Sequence, residues 1–212
     1  MKASTIFFDL DDTLYPPTSG VWQAIAQKID QYIHEKIHID WEDVPALRKS
    51  LFTQYGTTMR GLQAIYHIDA EDYLSYVHNI PVEEMLKPVP ALRTLLHNLP
   101  MRKIIFTNAD TRHAKRVLKA LGVADCFETI IDIIAISPFC KPQPEAFRIA
   151  LNHISEPNGN HCVLIDDSIT NLITAKSFGF FTIYIGNHNH QGNHLIDACI
   201  TNLSEILNIL PR

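Results

Sequence analysis

Short apolar runs alternate with helical patterns through much of this chain, and that alternation leaves few architectures open. Apolar, β-branched runs predict buried strands at 5–8, 103–106, 129–136, 162–165 and 181–185. Apolar residues at helical spacing predict helices at 91–99, 111–121, 144–154, 168–178 and 200–210. Strands that alternate with helices predict an α/β fold, in which helices cover both faces of a parallel sheet.

One long helical region interrupts this alternation directly after the first predicted strand. From 19 to 86, apolar residues recur every three or four positions, as at Val21, Ile25 and Ile29, and no segment has the composition of a strand. The pattern predicts a helical unit inserted into the sheet domain. The expected domains are a core at 1–16 and 89–212 and a helical cap at 17–88.

Charge and hydropathy exclude several classes of partner. The chain has 18 Lys+Arg against 23 Asp+Glu and no basic run, so we expect no nucleic-acid partner. Its apolar stretches are much shorter than the roughly 20 residues of a membrane span, so we expect no membrane partner. The four cysteines are scattered and form no CxxC pair, which indicates reduced thiols and a cytoplasmic protein. Monomer and homodimer both stay open.

Polar residues follow four of the predicted strands. Ligands of open parallel sheets bind at the carboxyl ends of the strands, so we expect these residues to meet at one edge. They are Asp9, Asp11 and Asp12 after the first strand, Thr107 and Asn108 after the second, Lys141 beyond the third, and Asp166 and Asp167 after the fourth. This set is the predicted functional site.

The acidic residues of this set indicate a metal ion. Several carboxylates at one sheet edge repel each other, so either some are protonated or a cation lies among them. Oxygen ligands favour a hard cation, Mg²⁺ rather than Zn²⁺. The alternative is that the acids are solvated loop residues or helix caps, which for Asp12 alone is equally reasonable.

The same residue types suit phosphoryl transfer. Asp9 can attack a phosphoryl group and form an aspartyl-phosphate. Asp11, two residues further on, can protonate the leaving group and later deprotonate a water molecule. Thr107 can bind phosphoryl oxygens, and Lys141 can neutralise the negative charge that develops. The predicted reaction is metal-assisted phosphoryl transfer.

These residues match a known pattern. The segment DLDDT at 9–13, Thr107, Lys141 and the pair Asp166-Asp167 resemble the four motifs of the haloacid dehalogenase (HAD) superfamily in order and spacing. The resemblance implies a Rossmann-like core with a helical cap inserted after the first motif, which agrees with the helical region described above.

The resemblance also implies a role for each motif residue. Asp9 would be the nucleophile and Asp11 the acid/base. The metal would be bound by the Asp9 carboxylate, the Asp11 backbone carbonyl and the Asp166-Asp167 pair, with Asp167 as the direct ligand and Asp166 acting through water. Asn171 occupies a position at which the family often has a residue that orients its neighbours.

Further segments resemble the pyrimidine 5′-nucleotidase branch of that superfamily. They are Tyr55-Gly56, Met59-Arg60-Gly61-Leu62, Tyr76-Val77-His78, Phe106-Thr107-Asn108-Ala109-Asp110, His113-Ala114, Arg116, Leu118, Cys140-Lys141-Pro142 and Ile165-Asp166-Asp167-Ser168. Members of this branch remove the 5′-phosphate from nucleoside monophosphates. The resemblance therefore implies a Mg²⁺-dependent phosphomonoesterase whose substrate is a small phosphorylated metabolite, a pyrimidine nucleoside 5′-monophosphate. One departure is a short segment between 136 and 140, which could alter the loop that presents Lys141.

Other functions stay open at this point. A phosphatase or phosphomutase for a sugar phosphate would use the same catalytic residues, because the cap sets specificity. A non-catalytic phosphate-binding regulatory protein would keep the fold without turnover. A dehalogenase is disfavoured, since Asp11 supplies an acid/base that carbon–halogen chemistry does not need.

Substrate contacts are expected from both domains. Thr107, Asn108 and Lys141 would contribute them from the core, and Arg60 and His78 from the cap. The alternative for Arg60 is a solvated helix face, and the alternative for His78 is a structural position at a helix end.

Several other residues have structural interpretations. Tyr15 could line the pocket or pack against the cap, and we expect His113 to support the site structurally. Trp22 and Trp41 are predicted to pack within the cap. Three histidines in a loop without a Cys or carboxylate partner are not expected to bind Zn²⁺. They are His188, His190 and His194.

Overall fold

A six-stranded parallel sheet forms the centre of the computed structural model, which describes residues 3–186 and 195–210. The strands are β1 (Thr5–Phe8), β2 (Arg102–Phe106), β3 (Thr129–Ile131), β4 (Cys162–Asp166), β5 (Phe181–Ile185) and β6 (Ala198–Ile200). Their order is β3-β2-β1-β4-β5-β6, and every neighbouring pair is parallel. The predicted α/β, Rossmann-like fold is confirmed. The histidines at 188, 190 and 194 lie outside the described residues.

The first strand lies in the interior of the sheet. Ile6, Phe7 and Phe8 are fully buried, as expected for a strand that is covered on both faces. Phe8 is in register with Ile105 of β2 and Ile165 of β4. Because the three strands end side by side, the residues that follow them meet at one edge of the sheet.

The helices fall into two groups. The first group is α1 (Val21–Ile37), α2 (Val44–Tyr55), α3 (Thr58–Tyr66), α4 (Ala70–Val77) and α5 (Val82–Met85). The second group is α6 (Pro90–Asn98), α7 (Thr111–Leu121), α8 (Pro144–His153), α9 (Ile169–Ser177) and α10 (Ile206–Ile209). The first group forms the helical insertion between β1 and α6. Its limits as a separate domain, 17–88, stay a prediction. No helix in the described part of the chain is long and apolar enough to span a membrane.

Apolar side chains cover both faces of the sheet. Phe7 belongs to one apolar cluster together with Ile104, whereas Ile6 and Phe8 belong to another. This alternation follows from the two-residue period of a strand. The second cluster continues into the inserted helices through residues such as Ile25. The insertion therefore packs on the same core as one face of the sheet.

The third strand is shorter than predicted. A strand was expected over 129–136, but β3 ends at Ile131. The next residue, Asp132, accepts hydrogen bonds from the backbone N–H groups of Ile134 and Ala135 through Oδ1, at 3.1 and 2.8 Å. These bonds turn the chain away from the sheet, and a run of apolar residues does not reveal them.

The helix predicted at 200–210 is also replaced in part. Its place is taken by the end of β6, a 3₁₀ turn at Leu203–Glu205 and the short α10. Just before β6, Asp197 Oδ2 accepts hydrogen bonds from the backbone N–H and the hydroxyl of Thr182, both at 2.9 Å. Asn202 then caps the 3₁₀ turn. A three-residue strand held by such side-chain bonds leaves no periodic signal in the sequence.

The two tryptophans do not pack in the interior of the cap, contrary to the prediction. Trp22 is 42% exposed and Trp41 is 53% exposed. Trp41 stacks on His34 at the surface, with ring centroids 4.5 Å apart. Helical periodicity places a residue on a face of its helix, but what covers that face depends on the tertiary packing.

Close packing of α2 against α3 gives a test of the inserted unit. A Cβ atom on Gly61 would lie 2.7 Å from Leu51 Cβ and Cδ2. We expect Gly61→Val to lower the free energy of unfolding by about 1–3 kcal/mol through overpacking. Ala46→Val at an exposed position of α2 should cost less than about 1 kcal/mol. Urea unfolding measures both, and equal losses would contradict this account.

Candidate active site

Lys141 joins the ends of two strands. Its Nζ donates hydrogen bonds to Asp9 Oδ1 at 2.7 Å and to Asp166 Oδ2 at 2.8 Å. Asp9 follows β1 and Asp166 ends β4, and all three side chains are buried. Buried charges are tolerated when they are paired and hydrogen-bonded. The ammonium between two carboxylates is therefore the electrostatic centre of the site.

Negative charge exceeds positive charge in this cluster. Burial raises the pKa of Asp9 well above its usual value; Lys141 opposes this rise, and Asp166 and Asp167 add to it. Burial would lower the pKa of Lys141, but Asp166 and Asp9 raise it. Removal from water is the main cause that raises the pKa of Asp167 to about 7, and the charge of Asp166 is the next largest cause. The side chain nevertheless lines an open cavity.

The surplus of carboxylates fits a hard divalent cation. One oxygen from each of Asp9, Asp166 and Asp167 lies within 4.8 Å of the other two. A cation among them would relieve their mutual repulsion, which adds to the effect of burial on the pKa values of Asp9 and Asp167, and an all-oxygen set suits Mg²⁺. Asp166 is also held by Ser168 N at 2.8 Å and by Asn171 Nδ2 at 3.0 Å. The protein thus fixes the orientation of Asp166 and leaves Asp167 facing the cavity.

The Asp11 side chain lies apart from this carboxylate group. Its Oδ1 accepts hydrogen bonds from the Tyr15 hydroxyl and from His113 Nε2, the latter at 3.0 Å. Burial would raise the pKa of Asp11, but the charge and hydrogen bond of His113, together with the hydrogen bond of Tyr15, lower it. His113 therefore contacts the expected acid/base directly. The role implied for Asp11 at a metal concerns its backbone carbonyl and stays a prediction.

A pair of stacked imidazoles connects the inserted helices to the core. His78 follows α4 and His113 lies in α7; their ring centroids are 4.3 Å apart and their planes differ by 18°. His78 Nδ1 lies 3.6 Å from Asp110 Oδ2. Burial lowers the pKa of His78, against the opposing effect of Asp110. His78 also lines the cavity, and this position is compatible with the expected substrate contact, which stays a prediction.

Thr107 and Asn108 follow β2 and line the same cavity. Thr107 Oγ1 accepts a hydrogen bond from Ala109 N at 2.9 Å. The Asn108 side chain donates to Lys141 O and accepts from Lys141 N, each at 2.9 Å. Asn108 thus holds the backbone that presents Lys141, a contact that the sequence did not indicate. The substrate roles of Thr107 and Asn108 stay predictions.

A cavity of about 640 Å³ is lined by these polar residues and by the inserted helices. Its cap side is largely apolar, with one ion pair in which Arg48 Nη1 contacts Asp30 Oδ1 at 2.9 Å. The apolar lining includes Trp22, Ile25, Ile29, Phe52, Met59 and Leu74. Its volume lies in the range of small-molecule sites. Helical periodicity placed some of these residues on the apolar faces of helices, but it could not tell whether such a face packs in the core or lines a cavity.

Arg60 is not among the residues that line the cavity. Its guanidinium Nη2 donates to the carbonyl oxygens of Ile133 at 2.7 Å and Phe139 at 2.8 Å, and the residue is 8% exposed. The structure therefore corrects the alternative of a solvated helix face, and the expected substrate contact of Arg60 stays a prediction. The side chain is neither solvated nor part of the cavity wall, because backbone carbonyls of the core have taken up its donors.

Comparison with known sequences identifies the family. A model of the haloacid dehalogenase-like hydrolases matches residues 3–179. The chain belongs to this family. The predicted superfamily is thereby confirmed, whereas the pyrimidine 5′-nucleotidase branch stays a prediction.

Several curated proteins resemble this HAD hydrolase. Phosphate metabolism protein 8 of Saccharomyces cerevisiae is 31% identical over 82% of this chain and 58% of its own length. Beta-phosphoglucomutase of Bacillus subtilis is 25% identical over 93% of this chain and 87% of its own. Glyceraldehyde 3-phosphate phosphatase of Pyrococcus furiosus is 24% identical over 100% of this chain and 94% of its own length. The match to the yeast protein thus spans less than two thirds of that protein.

Solved structures share the fold of this HAD hydrolase. The magnesium-bound HAD hydrolase YfnB of Bacillus subtilis superimposes with a TM-score of 0.65 at 19% identity, over 100% of both chains. A HAD phosphatase from Thermococcus onnurineus gives a TM-score of 0.66 at 19% identity, over 99% of this chain and 98% of that one. At this level of identity the likeness establishes the fold.

The raised pKa of Asp167 makes the stability of the metal-free protein depend on pH. The carboxyl titrates at about 7 when folded and near 3.9 when unfolded, so the folded state loses stability as pH rises through this interval. We expect Asp167→Asn to raise the metal-free Tm at pH 8 and to remove most of the Tm increase caused by Mg²⁺. Thermal melts with and without Mg²⁺ measure both effects.

The exposed Asp40 provides the control, since Asp40→Asn removes the same charge away from the site. It should leave both the metal-free Tm and the Mg²⁺ effect near those of the unmodified protein. An Asp167→Asn variant that still gains full stability from Mg²⁺ would remove Asp167 from the metal site.

Proposed function

We propose that this HAD hydrolase is a Mg²⁺-dependent phosphomonoesterase that dephosphorylates nucleoside 5′-monophosphates, with pyrimidine nucleotides as the main substrates. The observation that carries the proposal is the Lys141 ammonium between Asp9 and Asp166, beside a cavity whose far wall is apolar. The HAD family and the named phosphatase and phosphoglucomutase relatives support phosphate-ester chemistry.

Asp9 is the nucleophile in this proposal. Its carboxylate attacks phosphorus, the bond to the leaving oxygen breaks, and an aspartyl-phosphate forms. Water then attacks the same phosphorus atom, which releases inorganic phosphate and restores Asp9. Lys141, already in contact with Asp9, neutralises charge on the phosphoryl oxygens. A Mg²⁺ ion held by Asp9 and Asp167 would supply further charge neutralisation when bound.

Asp11 handles the protons. It protonates the leaving oxygen in the first step and takes a proton from the attacking water in the second. The hydrogen bonds from His113 and Tyr15 fix its orientation and lower its pKa, which suits the second step because an ionised carboxylate is needed there. Both partners are buried, so the orientation is set before substrate binds.

The shape and polarity of the cavity support a nucleoside leaving group. The apolar side chains of α1 and α2, among them Phe52, can contact the flat face of a base. Arg48 supplies hydrogen-bond donors and Asp30 supplies acceptors on the same wall, and the edge of a pyrimidine base presents both kinds of group. A sugar phosphate has no comparable flat apolar surface.

The second candidate is a phosphatase or phosphomutase for a sugar phosphate. The similarity to Beta-phosphoglucomutase and to Glyceraldehyde 3-phosphate phosphatase favours it. Such an enzyme would bind sugar hydroxyls through polar groups, and the cap side of the cavity offers a few of them beside its apolar wall: Asp30, Arg48, Lys49, Thr57 and Thr58. A non-catalytic regulatory protein would instead accumulate a long-lived aspartyl-phosphate.

A phosphate-release panel tests the function. With Mg²⁺, UMP and CMP should be hydrolysed with the highest kcat/KM, ahead of purine nucleotides, ribose 5-phosphate and glucose 1-phosphate. Asp9→Asn should abolish release because no nucleophile is left, and Asp40→Asn should not. A sugar phosphate that is hydrolysed faster than every nucleotide would favour the second candidate. No turnover of any ester would contradict both.

Contact between the cap and the base can be tested separately. Phe52 lines the cavity and is 59% exposed. Since stacking of a base on an aromatic ring is worth about 1–3 kcal/mol, Phe52→Ala should raise KM for the nucleotide by roughly 5- to 150-fold. Turnover of ribose 5-phosphate, which has no aromatic ring, should change little. Ile65→Ala, at an exposed position of α3 away from the cavity, is the control.

A further inference from the structure

We propose that Arg60 is a positioning residue for Lys141: from the inserted helices, it holds the loop that presents this lysine. The proposal rests on the catalytic role given to Lys141 under the proposed function. Arg60 acts through the backbone of residues 133–139 and does not touch the substrate.

The guanidinium of Arg60 spans the two ends of that loop. Its Nη2 donates to the carbonyl oxygen of Ile133 at 2.7 Å and to that of Phe139 at 2.8 Å. Its Nη1 lies 3.4 Å from Ser137 Oγ in the same loop, and Gln63 Oε1 accepts a hydrogen bond from it at 2.9 Å. One rigid, planar group thus connects the residues on either side of a turn.

Two further contacts join the same corner of the insertion to the same loop. Cys140 Sγ donates to the carbonyl oxygen of Tyr55 at 3.3 Å. Gly56 lies so close that a Cβ atom there would come 2.8 Å from Cys140 Sγ and 3.6 Å from Lys141 O. The segment from Tyr55 to Arg60 therefore packs along the loop up to the lysine itself.

Lys141 needs such support because its position is tightly restricted. Its Nζ is within 2.7 and 2.8 Å of two carboxylates on different strands, and the side chain is buried. Asn108 holds its backbone from the core side at 2.9 Å. Arg60 and the Tyr55 carbonyl hold the preceding residues from the cap side. A displacement of about 1 Å at a catalytic group can cost about 100-fold in rate, so both supports affect turnover.

Arg116 provides a matched comparison. It also bridges the two groups of helices, but from α7, donating to the carbonyl oxygens of His78 at 2.9 Å and Ile80 at 2.6 Å. Like Arg60, it binds two backbone carbonyls, yet these belong to the segment between α4 and α5 and not to the loop before Lys141. Loss of Arg116 therefore loosens the joint between the insertion and the core without releasing that loop.

The test uses the full chain with Arg60→Met, Arg60→Lys and Arg116→Met. With p-nitrophenyl phosphate and with UMP, Arg60→Met should lower kcat about 10- to 100-fold for both esters while KM stays nearly constant, since no substrate contact is lost. Arg60→Lys should recover part of kcat because an ammonium can still donate to a carbonyl. Arg116→Met should keep most of kcat.

Hydrogen exchange gives a readout that does not depend on turnover. Backbone amides of residues 133–141 should exchange faster in Arg60→Met than in the unmodified protein, whereas Arg116→Met should accelerate exchange at residues 78–83 instead. If Arg60→Met fails to fold, Arg60→Lys carries the same comparison with a smaller change.

Three results would overturn the proposal. They are unchanged kcat in Arg60→Met, a rise in KM confined to the nucleotide, which would make Arg60 a substrate contact, and unchanged exchange at residues 133–141. If the unmodified protein hydrolyses no ester at all, the proposed function fails, and the exchange comparison still decides whether Arg60 holds the loop.

Discussion

The Lys141 ammonium lies between carboxylates that belong to two different strands, and much of the structure serves to keep it there. Asp9 and Asp166 are neighbours because β1 and β4 are parallel and in register up to their ends. Two buried carboxylates at this distance would repel each other strongly without a cation between them. The single lysine charge balances only one of the three carboxylate charges of Asp9, Asp166 and Asp167, and this surplus is what makes the site suitable for a divalent metal.

The inserted helices contribute to this site in two distinct ways. One is a largely apolar wall, which turns the polar edge of the sheet into the end of a cavity of about 640 Å³. The other is a set of contacts to the loop before Lys141, made by Arg60 and by the backbone of Tyr55. The inserted helices that line the cavity are therefore the same ones that contact the loop before Lys141.

The polar residues of the site could be predicted because they follow buried strands. An apolar run that stops at Asp9, and another that stops at Asp166, place their carboxylates at the same edge of any parallel sheet. The order of the motifs then identified the superfamily. The hydrogen-bond partners of these residues were harder to predict from the sequence. His113 was expected to give structural support, but its direct contact with Asp11 depends on how α7 packs against β1.

The sequence by itself determined the α/β class, the helical insertion and the set of residues at the strand ends, because each depends on local periodicity and on a general property of parallel sheets. Only the tertiary structure decided the short β6, the early end of β3 and the contacts of Arg60. The physical reason is the same in each case. The local sequence pattern allows several conformations equally. Hydrogen bonds between residues distant in sequence, or between a side chain and a nearby backbone group, stabilise one of them.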